Sequence, residues 1–293
     1  AVLSAVRKST TDDNQGKIFG LLEGGRGGVE LLQNLMVVGL YTALGYSLFG
    51  LELAFMVNAA IMIILGVVTW FSLPRQTLLK SGDNTTSANR EVLAGMRVTL
   101  RLPEIWLAGA VGFCVYMIYT ALPFFLTYLN EIYALPVLAV SIFGIASTSG
   151  GRIAIALPSG FIAQRFFGGP TGGMGFGMTL VALLALSMMA LPIGPTTMWP
   201  AMSLMLLITF TIFFMRPLYF APFGEMGLPP RFSGSVIAIA AFIIYLPTSF
   251  AYLLWGVLLD NNEGATGYRY MFALMAVVSV VGWFLARSLN KRI

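Results

Sequence analysis

The sequence predicts an all-α, polytopic membrane protein of about eight transmembrane helices, and two observations carry that prediction. Eight separate stretches are each long and apolar enough to cross a bilayer, whose hydrocarbon core takes roughly 20 residues of helix. The chain as a whole is 58% hydrophobic and only 10% charged, with a mean hydropathy of +0.85. A soluble domain cannot hide that much apolar surface. Lipid offers no partner for exposed amides, so only helices or closed barrels span it. Barrel strands would alternate in polarity over about ten residues; these stretches are continuously apolar.

In chain order the spans fall at 28–49, 53–73, 105–129, 137–163, 173–193, 198–222, 234–257 and 269–287. The first carries Glu30, Asn34, Tyr41 and Gly45 along one side, with Gln33 and Thr42 adjacent. The second is apolar apart from Asn58. The segment 74–104 follows, rich in Arg and Lys, with Val92, Leu93, Met96 and Leu100 at the spacing of an interfacial amphipathic helix. Pro103 sits where the next helix begins. This loop divides the chain into the end of an N-terminal half (1–73, two spans), an inter-half loop (74–104) and a six-helix C-terminal half (105–293).

Within that half, the third span carries Tyr116, Tyr119 and Thr120, deeper than an interfacial aromatic belt. On the fourth, Ser141, Gly144, Thr148, Arg152 and Ser159 follow at steps of 3, 4, 4 and 7, which puts them on one side of a helix. The fifth is apolar, and Gly169, Gly173 and Gly177 give it the small-xxx-small spacing of a close helix contact. Thr209, Arg216 and Tyr219 mark the sixth, while Tyr245, Thr248, Tyr252 and Trp255 share one side of the seventh. The eighth is apolar apart from Ser279. Pro123, Pro158, Pro217, Pro222 and Pro247 all fall in the polar-faced spans, where each removes a backbone hydrogen bond and kinks its helix.

Polar groups in a membrane face a bundle interior or a water-filled cavity. The polar-faced spans are therefore read as cavity walls and the apolar ones as lipid-facing; helix packing through hydroxyl and small residues is the competing reading. Positive charge collects on the cytoplasmic side. With the N-terminus inside, the inner side takes basic residues from Arg7 to Arg292, the outer loops hold only Arg269, and Arg152 and Arg216 lie within the bilayer. Both ends are thus expected to be cytoplasmic, in the cell's inner membrane, and a pI near 9.4 reflects this topology rather than nucleic-acid binding. The chain opens at Ala1 without Met, and Arg7, Lys8, Asp12 and Asp13 read as the tail of a cytoplasmic loop, which predicts a fragment whose earlier helices are missing. A lone Cys114 precludes an internal disulfide. With no His and no paired intramembrane carboxylates, the sequence predicts no metal site, no cofactor and no enzymatic activity.

Arg152 is the leading candidate for substrate contact. It lies 13 residues from Arg165, roughly 20 Å along a helix, where an unpaired guanidinium costs at least about 3 kcal/mol. No acid of this chain is expected at that depth, so a substrate or an acid from a missing helix is the expected counter-ion. Arg216 either faces the same cavity beside Thr209 and Tyr219 or snorkels to the cytoplasmic interface. If both arginines face one cavity, the favoured substrate is a small organic anion. Tyr116, Tyr119, Thr148, Tyr245, Asn34 and Tyr41 complete the expected substrate-binding set. Glu30, about two turns inside the membrane, is the candidate for proton coupling, pairing with a nearby Arg being the alternative. Glu23 and Arg26 read as a local ion pair at a helix end.

Two spans, a basic loop and six further spans resemble the last eight of the twelve helices of a major facilitator superfamily transporter. The run from Gly16 to Gly27 is similar to the start of the fifth helix in a bacterial permease group, and Arg216–Ala221, Gly234 and Tyr245–Pro247 are similar to its tenth and eleventh. Gly160, Gln164, Arg165 and Gly168 echo the family's cytoplasmic loop signature, with Gln164 where the family favours Asp. In that family the third helix of each three-helix unit lies outermost, which matches the apolar spans. The resemblance implies a secondary active permease working by alternating access on a small polar solute, such as an organic acid or sugar derivative. The coupling ion is expected to be a proton rather than sodium, in a protein monomeric when full length. A transporter-fold receptor or sensor that binds without translocating is the alternative.

Overall fold

The computed structural model describes residues 15–72, 95–97, 99–226 and 233–293. Eight long helices and short turns make up nearly all of them. They are α1 (Gln15–Ala43), α2 (Leu48–Ser72), α3 (Pro103–Tyr133), α4 (Val137–Phe167), α5 (Pro170–Ala190), α6 (Pro195–Gly224), α7 (Gly234–Asp260) and α8 (Ala265–Asn290). No strand occurs among the described residues. Seven helices, α2 to α8, are long and apolar enough to cross a membrane by length and composition; α1 is diluted by glycines and by Glu23, Arg26 and Glu30. The predicted interfacial helix lies largely outside the described residues, as do the basic positions Arg7, Lys8, Arg75, Lys80, Arg90 and Arg231 and the opening segment 1–14.

The largest boundary difference is at the first span. α1 begins 13 residues before the expected position 28 and stops at Ala43. Gly45 and Tyr46 take left-handed backbone angles (φ 68° and 59°), which ends the helix. The Ser47 hydroxyl accepts the Gly50 amide at 3.1 Å, capping α2, so α2 starts at Leu48 rather than 53.

Each intramembrane proline sits beside a departure from α geometry, because it cannot donate to the carbonyl four residues back. α3 breaks at Thr120–Ala121 before Pro123. α4 widens into a π turn at Arg152–Ala156 before Pro158. α6 passes through a turn at Arg216–Pro217 into a 3₁₀ segment at Leu218–Phe220, and α7 is 3₁₀ at Leu246–Ser249 around Pro247.

Helices α3 to α8 form one packed unit: α8 lies along α5 and α3, α5 packs on α6, and α7 on α3. Buried Trp255, Phe125, Phe272, Met174, Met178 and Met205 belong to its core. Two of the three spaced glycines mark close contacts, a methyl group built on Gly173 lying 2.9 Å from Ala163 Cβ and one on Gly177 2.5 Å from Met215 Cγ, whereas Gly169 precedes α5 and has nothing within 4 Å. α1 runs along α4, and α2 packs chiefly on α1 and faces outward. α5 and α8 also present apolar flanks outward through Leu183, Leu186, Val277 and Phe284.

Candidate functional site

The site lies where α1 meets the π turn of α4, and glycines bring the two together. On Gly20 an added methyl would sit 2.7 Å from the Ala156 carbonyl oxygen, on Gly24 2.4 Å from Leu157 Cγ, and on Gly27 2.6 Å from Arg152 Cβ. Such spacing along one side of a helix lets two backbones approach in lipid. The close approach carries Glu23 and Glu30, seven residues apart on the same side of α1, onto the arginines of α4 and α6.

Five charges then form one network, with Arg26 Nη1 3.4 Å from Glu23 Oε2. Arg152 Nη1 pairs with Glu30 Oε2, its Nη2 donates to Tyr119 Oη at 2.9 Å, and its Nε lies 3.6 Å from Glu23 Oε1. Arg216 Nη1 lies 3.2 Å from the same Glu23 oxygen. Its guanidinium stacks 4.1 Å from the Tyr119 ring centre, and Phe213 lies under Arg152 at 5.1 Å. Glu23 and Arg216 are buried, with side chains 8% and 7% exposed. Arg216 Nε has no hydrogen-bond partner among the described residues, and its Nη1 lacks the alignment of a hydrogen bond. Buried donors without acceptors are rare and call for an explanation.

Two cavities meet at Glu30. The larger, about 800 Å³, is lined by Leu22, Glu23, Arg26, Glu30, Gln33, Arg152 and Arg216. The smaller, about 220 Å³, is lined by Glu30, Tyr119, Phe143, Ser147, Thr148, Thr209 and Tyr252 among others. Side chains come from α1, α3, α4, α6 and α7, and none from the apolar α2, α5 or α8.

Several expectations need correction. An acid does reach the depth of Arg152: both Glu23 and Glu30 are there. Glu23 is not confined to a local pair at a helix end, because α1 extends well before it and packs that turn against α4. Arg26 does lie 3.4 Å from Glu23, three residues along, but the same carboxylate serves Arg152 and Arg216. Arg216 does not snorkel; it is buried against Tyr119. On α7 the expected shared side is lost at the 3₁₀ turn: Trp255 is buried, donating to Thr120 Oγ1 at 2.9 Å, while Tyr252 is exposed.

Of the remaining predicted residues, Tyr116 packs edge-on against Tyr245 at 4.9 Å, and the Tyr245 hydroxyl lies 3.5 Å from that of Tyr219. Thr148 donates to the Gly144 carbonyl at 2.7 Å and lines the smaller cavity. Asn34 donates to Ser149 Oγ at 3.4 Å, a further α1–α4 tie. Tyr41 packs against Tyr46 at 5.3 Å and lines neither cavity. The residues missed from sequence are Glu23 and Phe213; the seven-residue step from Glu23 to Glu30 was the available signal for the first. Among the described residues no group of three acidic or cysteine side chains is placed to hold a metal.

The profile of the Major Facilitator Superfamily matches residues 1–252. The chain belongs to that superfamily. It is 27% identical over 292 residues to the inner membrane protein YihN of Escherichia coli (strain K12), covering all of this chain and 69% of that protein. To the inner membrane protein YqcE of the same organism it is 28% identical over 276 residues, covering 91% of this chain and 63% of that one. Crystal structures of a bacterial homologue of the iron transporter ferroportin, in an outward-facing state, superpose with TM-scores of 0.67 (with soaked iron) and 0.66. At 12% and 13% identity this likeness is one of fold, over 97% of this chain and 65% and 66% of theirs. This superfamily member thus spans about two thirds of the length of the relatives it matches, and it is a multi-pass helical membrane protein.

Proposed function

We propose that this chain is the larger part of a secondary active transporter that moves a small organic anion by alternating access, coupled to protons through Glu30. It is not an enzyme on this reading; it resides in the inner membrane with both ends cytoplasmic and works as a monomer when full length. One observation carries the proposal: a buried Arg216, its Nε without a hydrogen-bond partner among the described residues, stands beside Arg152 at a cavity wall. Secondary transporters place their sites at such mid-membrane junctions, and guanidinium groups suit carboxylate or phosphoryl oxygens.

The acids refine this reading. Empty, the two arginines are neutralised by Glu23 and Glu30, so an incoming anion must displace a carboxylate. Glu30 is the more accessible, 27% exposed, and it borders both cavities. Protonation of Glu30 removes the charge that holds Arg152 and frees its Nη1 for the substrate. Proton and anion therefore enter together.

The test is uptake of radiolabelled organic acids and sugar acids by the full-length protein in proteoliposomes, with and without an imposed pH gradient. Arg152→Ala is expected to abolish uptake while membrane insertion is kept; unchanged uptake takes Arg152 out of the site. Glu30→Gln is expected to lose gradient-driven accumulation and keep counterflow. Ligand binding with no counterflow in the parent protein would instead mark a receptor built on the transporter fold.

A further inference from the structure

Glu23 stands among three guanidinium groups, and its two oxygens are divided between them. Oε1 is directed across the helix interface, 3.2 Å from Arg216 Nη1 and 3.6 Å from Arg152 Nε. Oε2 is directed along α1 to Arg26 Nη1 at 3.4 Å. The carboxylate is buried, whereas Arg26 is half-exposed on the wall of the larger cavity. An i,i+3 pair on an open helix surface is worth little. Here the acid is enclosed, and its stronger partners belong to other helices.

We infer that Arg26 is a positioning residue: it is the standby counter-ion that keeps Glu23 neutralised whenever α1 parts from α4 and α6. This rests on the alternating-access reading, in which the N-terminal half bearing α1 moves against the C-terminal half. Separation without Arg26 would strand a carboxylate in a poorly hydrated place, which is costly. With Arg26 one turn away, α1 carries its own compensating charge, and the two arginines left behind are open to an anion. The carboxylate keeps one partner as it leaves the other two.

Cross-linking across α1 and α4 tests this in membrane vesicles of the full-length protein. Asn34 and Ser149, whose side chains meet at 3.4 Å, are replaced as Asn34→Cys and Ser149→Cys in a Cys114→Ser background, and copper phenanthroline reports how often the helices are apposed. Arg26→Gln is expected to raise the apposed-to-parted ratio by about two- to fivefold, the range of a partly exposed ion pair, and Arg26→Lys to stay near the parent value. Glu23→Gln lowers the ratio, and adding Arg26→Gln to it changes nothing further. An equal Arg26→Gln effect with and without Glu23, or none, overturns the assignment. Should Glu23→Gln not accumulate, the contrast between Arg26→Gln and Arg26→Lys decides alone: like behaviour of the two overturns it. Uptake measured in parallel without the cysteine pair separates the two ideas, since uptake indifferent to Arg152→Ala removes the anion site whatever Arg26 does.

Discussion

Glu23→Gln keeps the shape of the side chain and removes the charge that Arg216 and Arg152 share. Arg152 retains Glu30 and the Tyr119 hydroxyl, but Arg216 is left with no acidic partner among the described residues. Deleting one member of a buried pair costs about 3–5 kcal/mol. Water in the 800 Å³ cavity and the Tyr119 ring 4.1 Å away soften that cost, the ring by about 1 kcal/mol. A loss of about 3 kcal/mol, the low end of the buried-pair range, is therefore expected. Glu30→Gln is expected to cost only about 1 kcal/mol, because Glu30 is partly exposed and Arg152 keeps Glu23 at 3.6 Å. Arg216→Met removes the charge that Glu23 serves, so the double variant should lose less than the sum, by about 2 kcal/mol of coupling. The assay is reversible denaturant unfolding of the full-length protein in detergent, followed by tryptophan fluorescence. Strictly additive losses would refute the claim that these buried groups hold one another.

Three further outcomes follow from the geometry. Gly20→Ala drives a methyl into two backbone carbonyl oxygens, Ala156 at 2.7 Å and Leu157 at 2.9 Å, and should destabilise by about 1–3 kcal/mol and lower α1–α4 cross-linking; Gly175→Ala, whose methyl meets only Ala286 Cβ at 3.8 Å, should be tolerated in the same assay. Tyr119→Phe loses the bond from Arg152 but keeps the ring under Arg216, so substrate affinity in a binding titration should fall about tenfold, and Tyr119→Ala should cost more. Thr120→Val leaves the buried Trp255 indole N–H without its acceptor, at about 1–3 kcal/mol, seen as reduced unfolding stability; Thr120→Ser should restore it.

The membrane spans were legible because a bilayer fixes their length, and Arg152 was legible because a charge inside an apolar run has few other uses. Glu23 was not. Hydropathy starts the first span at 28, since the run from Gly16 to Gly28 is too rich in glycine and charge to score as apolar. In the fold those glycines are a contact surface: α4 lies against Gly20, Gly24 and Gly27, and burial there turns a presumed surface pair into a shared counter-ion. Counting in helical steps is also less secure on α4. The seven-residue step from Arg152 to Ser159 preserves a side only in an unbroken α-helix, and the π turn between them adds a residue to the circuit. Tyr41 followed the pattern of its helix, but α1 ends two residues later and its ring turns to Tyr46 instead of the cavity.

Counting Arg26, three guanidiniums face two carboxylates in this network, and the excess has an energetic consequence. If the chain works as proposed, an unloaded site with one positive charge in excess would feel the membrane potential, worth about 2.3 kcal/mol per elementary charge per 100 mV, as it reorients. Over a full cycle of that kind the fixed charges would return to where they began, so any net charge moved would be the cargo's. A monovalent anion travelling with one proton would be electrically silent, leaving the two concentration gradients to set the direction of flow.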